Sequence, residues 1–365
     1  MINWKKELEE NVTTGNELKD FFDWDLTNEQ AKKLNRIIEL YPMSVSKYYL
    51  SLIDDESEDD SIKKMCIPSI AETDLSGSMD TSGELSNTVT VGLQHKYKQT
   101  ALILSTNKCA VYCRHCFRKR LVGISDDEVN KNFDDIIAYI REHKEINNVL
   151  ISGGDSFLNS NKKIESYLKE LVEIDHINLI RFGTRTPVVL PSRIYKDSEL
   201  LSILQEYSKK KTIYVVTQFN HPREITKEAK KAISALKNIG IIVKNQAVLL
   251  KGVNDSPSVM AKLISKLTAS GVVPYYVFQC RPVTAVKNQF QIPLKKGYKI
   301  VSDARKLLNG QEKCFRYVLS NERGKIEIVG KLEDDKMIFR YHQAKYKEDQ
   351  EKVFVLDIKD DQCWI

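Results

Sequence analysis

From about residue 100, short β-branched apolar runs alternate with amphipathic stretches, and the alternation repeats six times. The strand candidates are Ala101–Ser105, Asn148–Ser152, Leu179–Phe182, Thr212–Thr217, Ile241–Val248 and Pro274–Phe278. Helix candidates lie near 126–143, 161–174, 197–209, 224–238, 256–269 and 294–308. A strand that returns through a helix pairs parallel to its predecessor, with a right-handed crossover. Six units are too few to close an eight-unit barrel. The predicted fold is therefore α/β, an open, partial six-unit βα barrel.

Chemistry in such folds gathers at the C-terminal ends of the strands. Here those ends carry Cys109, Gly153-Gly154-Asp155, Arg185, Gln218-Phe219-Asn220-His221, Asn245-Gln246 and Gln279-Cys280-Arg281, in strand order. Polar groups at all six ends, with apolar strands behind them, are hard to explain as packing.

The flanks read differently. Residues 1–90 are predicted to be mainly helical, with Thr27 and Asn28 starting a helix that runs to Leu40. The acidic run Asp54–Asp60 reads as an exposed turn and Ser76–Ser86 as a loop. Residues 310–365 form a separate, β-rich pattern, with short strands at Tyr317–Leu319, Ile326–Val329 and Met337–Tyr341. The barrel is then expected to span 91–309.

Composition excludes several classes of function. No apolar run approaches the ~18 residues of a membrane span, and MINWKKELEE lacks the apolar core of a secretion signal. A cytoplasmic protein without a membrane partner is expected. The net charge of +6 is dispersed among acids, and its one dense cluster, Arg114–Arg120, lies inside a cysteine motif, so no nucleic-acid partner is expected.

Seven cysteines occur, and only Cys109, Cys113 and Cys116 cluster. In a reducing compartment, that grouping reads as metal ligation rather than a disulfide framework. Three thiolates can each take one iron of a [4Fe–4S] cubane, leaving a fourth iron open to the amino and carboxylate groups of S-adenosylmethionine (SAM). The alternatives are a zinc site or three buried thiols. Zinc usually wants four ligands, and His115 is poorly placed to be the fourth.

The chain resembles the lysine 2,3-aminomutase family of radical SAM enzymes. The resemblance rests on Cys109-Ala-Val-Tyr-Cys-Arg-His-Cys-Phe-Arg-Lys-Arg120, Ser152-Gly-Gly-Asp155, Arg185-Thr-Pro-Val-Val-Leu-Pro191 and Phe219-Asn-His-Pro222. Asn245-Gln246, Gly252-Val-Asn-Asp255 and Pro274-Tyr-Tyr276 extend it. It implies an isomerase that moves an amino group between Cα and Cβ, using SAM and pyridoxal 5′-phosphate (PLP). It implies SAM contacts from Ser152, Gly153, Gly154 and Asp155, with Arg185, Asn220, His221 and Gln246 as further cofactor-binding residues. It implies that a lysine, best matched by Lys325 with Lys331 as competitor, holds PLP as a Schiff base. Lys96 and Tyr97 match the segment that grips the PLP phosphate, with Lys96 standing for a family arginine and Thr100 for a second. Arg118 matches the arginine that pairs with the substrate carboxylate.

Two departures bear on substrate and assembly. Lysine-specific members hold the distant ammonium with two aspartates, and this chain has Arg281 and, approximately, Ser320 there. An anionic or neutral amino acid is therefore expected over lysine, unless Arg281 points away to a structural acid. Ser256 replaces the first cysteine of the family's zinc site, which puts the familiar subunit assembly in doubt while leaving a homo-oligomer open. The expected partners are a small amino acid and an electron donor such as flavodoxin or ferredoxin. Two rivals remain: an aminomutase acting on a protein lysine side chain, and a non-catalytic Fe–S or zinc protein that binds a partner.

Overall fold

The computed structural model describes residues 4–22, 27–54, 57, 59–333 and 335–365. Twelve strands share one sheet in chain order. They are β1 Thr88–Thr90, β2 Leu93–Tyr97, β3 Thr100–Thr106, β4 Asn148–Gly153, β5 Leu179–Gly183 and β6 Thr212–Thr217, then β7 Ile242–Leu249, β8 Val273–Gln279, β9 Arg316–Ser320, β10 Gly324–Lys331, β11 Lys336–Ala344 and β12 Val353–Asp357. β3 to β9 pair parallel. β1 and β2 add antiparallel at one edge, and β10 to β12 at the other.

The six crossover helices follow from the sequence pattern. They span Phe133–Glu142, Asn161–Val172, Ser198–Ser208, Lys227–Asn238, Pro257–Ala269 and Leu294–Lys306. Five begin at a side chain that accepts a backbone N–H of the first turn: Asn132, Ser160, Asp197, Thr226 and Ser256. Each such cap is worth about 1 kcal/mol. Ser256, where the resemblance has a zinc ligand, is thus a helix cap here.

Along the strands burial alternates. In β4, Val149 and Ile151 are fully buried, whereas Leu150 and Ser152 face an internal cavity. The buried set forms one core with Ile140, Leu168, Ile180 and Phe182. Truncating such a residue to Ala costs about 2–5 kcal/mol.

Several expectations shift. β9, read from sequence with the tail, pairs parallel to β8 and is the seventh parallel strand. The first crossover helix starts at Phe133, because Asn132 caps it. Of the acidic run, Asp55, Glu56 and Glu58 lie outside the described residues. Asp60 is not an exposed turn residue: it is buried, caps the helix Ser61–Cys66 and pairs with Arg223.

The N-terminal helices matter for the site because their connections cover the cysteine loop. Backbone bonds join Tyr112 N to Ser44 O and Arg114 N to Met65 O, both at 2.9 Å.

Candidate active site

A cavity of about 380 Å³ runs inside the sheet, and the loop after β3 turns Cys109, Cys113 and Cys116 into it. The glycines of Ser152-Gly-Gly-Asp155 hold the root of that loop. A Cβ on Gly153, at φ +117°, would lie 2.3 Å from Thr106 O, and one on Gly154 would lie 2.3 Å from Lys108 O. Gly154 N and Asp155 N instead donate to these carbonyls at 2.6 and 2.8 Å. The close approach that glycine permits is therefore first of all that of the cysteine loop.

Below the loop lies a buried ionic node. Glu72 accepts from Arg114 Nε at 2.9 Å and from Lys119 Nζ at 2.7 Å, and Arg114 Nη1 donates to Pro42 O at 2.8 Å. Among the described residues, no three His, Cys, Asp or Glu side chains converge on a single ion. A cubane needs no such convergence, since each thiolate takes a different iron. Burial pushes the Cys116 thiol up to about 11 and the Cys109 thiol well above its ordinary value. Iron must therefore supply the charge that makes them thiolates. The donor set, three thiols on one loop facing a cavity that Ser152, Arg185 and Gln246 also line, fits the cluster and SAM.

Most of the strand-end residues converge on this cavity, but not all. Ser152, Gly153, Gly154, Asp155, Arg185 and Gln246 line it. The Asp155 carboxylate is engaged by the protein: it accepts from the Thr184 and Thr186 hydroxyls and from Phe157 N and Arg185 N. Arg185 Nη1 lies 2.7 Å from Cys113 Sγ, while Nη2 donates to Glu224 at 2.5 Å and to Tyr49 at 2.8 Å.

Asn220 and His221, expected at the cofactor, stand outside the cavity wall. Asn220 is fully buried and links strand ends, accepting from Val248 N at 2.8 Å and meeting His115 Nε2 at 3.2 Å. His221 caps the turn Pro222–Glu224. The Asn220 amide is thus spent on joining strand ends, and His221 Nδ1 on its own turn. His115 does line the cavity, and burial pushes it down to about 3, so it is neutral.

Lys325, the second residue of β10, also points into the cavity. Its Nζ donates to Gln343 Oε1 at 2.9 Å and lies 4.5 Å from the Tyr276 ring centroid, 5.8 Å from that of Tyr97 and 5.9 Å from that of Phe278. Burial, then Arg181, Arg281 and Lys96, push it down to about 7. An amine that is half unprotonated at neutrality, walled by aromatic rings, suits the carbonyl chemistry and flat ring of PLP. Lys331 sits exposed at the far end of the same strand. Lys96 donates to Ser82 O and Asn321 O, and burial followed by Arg281 pushes it down to about 7.

The other cations differ in how far they are neutralised. Arg118 pairs with Glu84 at 2.8 Å, and its Nη1 reaches Ser152 Oγ at 3.3 Å and Gly153 O at 3.2 Å. Arg281 does not point away to a structural acid. It lines the cavity, stacks on Phe117 at 4.5 Å, and its Nη1 is buried with no hydrogen-bond partner among the described residues. The nearby Glu84 is taken by Arg118 and Arg120. Sequence reasoning missed Arg181 in β5, Phe117, Glu84 and Gln343. Only Arg181 left a signal, as a charge inside an apolar strand.

Residues 103–264 match the Radical SAM superfamily. The chain is 39% identical over 306 residues to an L-lysine 2,3-aminomutase of Acetoanaerobium sticklandii, covering 83% of this chain and 72% of that one. It is 39% identical to an L-lysine 2,3-aminomutase of Fusobacterium nucleatum, with 83% and 70% covered. It is 36% identical over 310 residues to a glutamate 2,3-aminomutase of Clostridioides difficile, with 84% and 72% covered. No described helix is long and apolar enough to cross a membrane.

Proposed function

The chain belongs to the lysine 2,3-aminomutase family of the radical SAM superfamily, and from that premise we propose that it moves the α-amino group of an anionic or neutral polar amino acid to Cβ. The observation that carries the choice of substrate is Arg281, a guanidinium in the cavity wall whose Nη1 has no hydrogen-bond partner among the described residues. Such a group seeks a carboxylate or a neutral acceptor. A substrate ammonium beside it would add a second unpaired cation to a site that holds little opposing charge, at a cost of several kcal/mol.

When bound, the cluster and SAM would supply the radical that removes a hydrogen atom, and PLP would supply the carbonyl carbon that holds the amino nitrogen while it passes from Cα to Cβ. The protein's own part is to hold and orient. Cys109, Cys113 and Cys116 ligate iron, with Arg185 braced by Glu224 beside Cys113. Ser152, Gly153, Gly154 and Gln246 contact SAM, while Asp155 holds the Ser152–Asp155 turn against the β5 loop. Lys325 would hold PLP through its amine, whose lowered proton affinity suits bonding to a carbonyl. The rings of Tyr97, Tyr276 and Phe278 wall that amine and would keep water from it. Arg118 fixes the substrate α-carboxylate through Nη1, whose present contacts are its longest. Arg281 then reads the far end of the side chain. A flavodoxin or ferredoxin is the proposed electron donor.

The test is anaerobic incubation with deuterium-labelled SAM, a reductant, PLP and a panel of amino acids, read by mass spectrometry. Deuterium should enter glutamate or another non-cationic amino acid, and Arg281→Asp should shift preference toward lysine. Robust turnover of lysine by the wild type, with glutamate inert, would sink the substrate assignment.

A further inference from the structure

The glycine before Lys325 makes room for a neighbouring strand. A Cβ on Gly324 would lie 2.3 Å from Gln343 O and 3.0 Å from Ala344 Cα. Only a residue without a Cβ lets β11 come that close to β10. Lys325 and Gln343 then stand opposite each other in the antiparallel ladder, where facing side chains meet. One step along β10, Ile326 pairs with Tyr341, which leaves His342 as an extra residue in β11. A bulge of this kind re-aims the side chains beside it. Two consecutive residues of β11 consequently serve one amine. Gln343 Oε1 accepts from Lys325 Nζ at 2.9 Å, and His342 Nε2 meets the Tyr276 hydroxyl at 2.7 Å. Of the three rings around Nζ, that of Tyr276 is the nearest.

Gln343 Oε1 is the one acceptor that Nζ reaches among the described residues. The other groups that face the amine are of a different kind. Lys96 and Tyr97 come from β2, Arg181 from β5, Tyr276 and Phe278 from β8, and Arg281 from just beyond it. On β9, Ser320 pairs with Lys325 and brings a neutral hydroxyl to the cavity. His342 is pushed down to about 4, first by burial, and is neutral as well. The charges acting on Lys325 are those of Arg181, Arg281 and Lys96, all cations. A carboxylate in the place of Gln343 would pair with the ammonium and keep the proton on it. An amide oxygen can direct the amine without that effect.

We propose that Gln343 is the positioning residue of Lys325: its uncharged amide oxygen, brought into place by the close approach at Gly324 and the bulge at His342, aims the amine into the cavity. This inference rests on the reading that Lys325 carries PLP.

The test follows labelling of Lys325 in the full chain against pH, with two reagents mapped by mass spectrometry. PLP is fixed by borohydride, and formaldehyde, which needs no aimed amine, by cyanoborohydride. Gln343→Met keeps the length of the side chain and removes the acceptor. Above about pH 8, where the amine is free, it should slow labelling by PLP about tenfold and by formaldehyde less than about twofold, as expected for lost orientation. Gln343→Glu restores an acceptor and adds a charge. It should bring the PLP rate at high pH back to within about twofold of the wild type, and raise the midpoint with both reagents by about one pH unit or more. A brace that merely joins β10 to β11 would lower the melting temperature and leave both rates and midpoints unchanged. That result, an equal loss with both reagents in Gln343→Met, or an unmoved midpoint in Gln343→Glu would each overturn the proposal. Should Gln343→Met fail to fold, the near-isosteric Gln343→Glu decides alone. If the wild type takes formaldehyde on Lys325 but never PLP, the reading of Lys325 fails, and the formaldehyde midpoint in Gln343→Glu still decides whether the amide holds that amine.

Discussion

The Arg281 guanidinium lies 4.5 Å from the ring centroid of Phe117, the residue that directly follows Cys116. Arg118 approaches the same ring at 4.7 Å. One aromatic side chain thus orients both cations proposed to grip the two ends of the substrate, and it is anchored to the cluster motif.

Phe117→Leu should therefore weaken substrate binding without disturbing the cluster. A cation–π contact is worth about 1–2 kcal/mol when desolvated, so KM for a non-cationic amino acid should rise by roughly tenfold. Iron content should stay unchanged. Loss of iron in this variant would show that the ring serves the cysteine loop instead.

Lys325 gives a pH prediction. Its ammonium is held at about 7 by burial and by neighbouring cations, whereas an ordinary lysine loses its proton near 10.4. Only the free amine attacks an aldehyde, so capture of PLP should rise through pH 7 and level off above pH 8. Removing a neighbouring cation favours the ammonium, so Lys96→Met should move the midpoint to higher pH. Borohydride trapping at a series of pH values checks both statements. Lys325→Ala should abolish trapping while leaving iron binding intact.

Much of this site was legible before any coordinates. The cysteine spacing, the glycine pair and the six strand–helix units are written in local residue patterns, and five of the six crossover helices begin at a side-chain cap. Lys325 was legible only by resemblance, because one glycine before a lysine also describes a solvated turn. Its contacts with Tyr97 and Tyr276 come from strands far away in the chain. Asn220 and His221 misled for the opposite reason. Polar residues at a strand end suggest a ligand, yet these satisfy Val248, His115 and the backbone of their own turn. Pairing of this kind depends on tertiary neighbours that no local pattern encodes.

The three clustered cysteines should behave differently from the other four. Reconstituted wild type should hold about four irons per chain, and Ala at 109, 113 or 116 should abolish reductive SAM cleavage. Cys66 is fully buried and its thiol donates to Ile62 O at 3.2 Å, outside the cavity. Cys66→Ala should retain the iron and lose only packing stability. A single zinc per chain, with iron never loading, would contradict the cluster assignment.

The last prediction concerns Glu72, which touches no cofactor. Its carboxylate is the shared anion of Arg114 and Lys119, the residues that flank Cys113 and Cys116 in the motif, and all three side chains are buried. Removing one member of such a network leaves uncompensated charge in the interior and typically costs about 3–5 kcal/mol. Glu72→Gln keeps the shape and removes the charge, so it should lower the denaturation midpoint by the full cost of two unpaired cations. Because Arg114 also ties the cysteine loop to Pro42 and Tyr41, the loop should loosen before the rest of the barrel. Hydrogen exchange should then show faster opening at 109–120 than in β4 to β8, and reconstitution should load iron more slowly. A variant that unfolds uniformly, with loop and barrel strands exchanging together, would mean that the node stabilises the whole domain and has no special hold on the cluster loop.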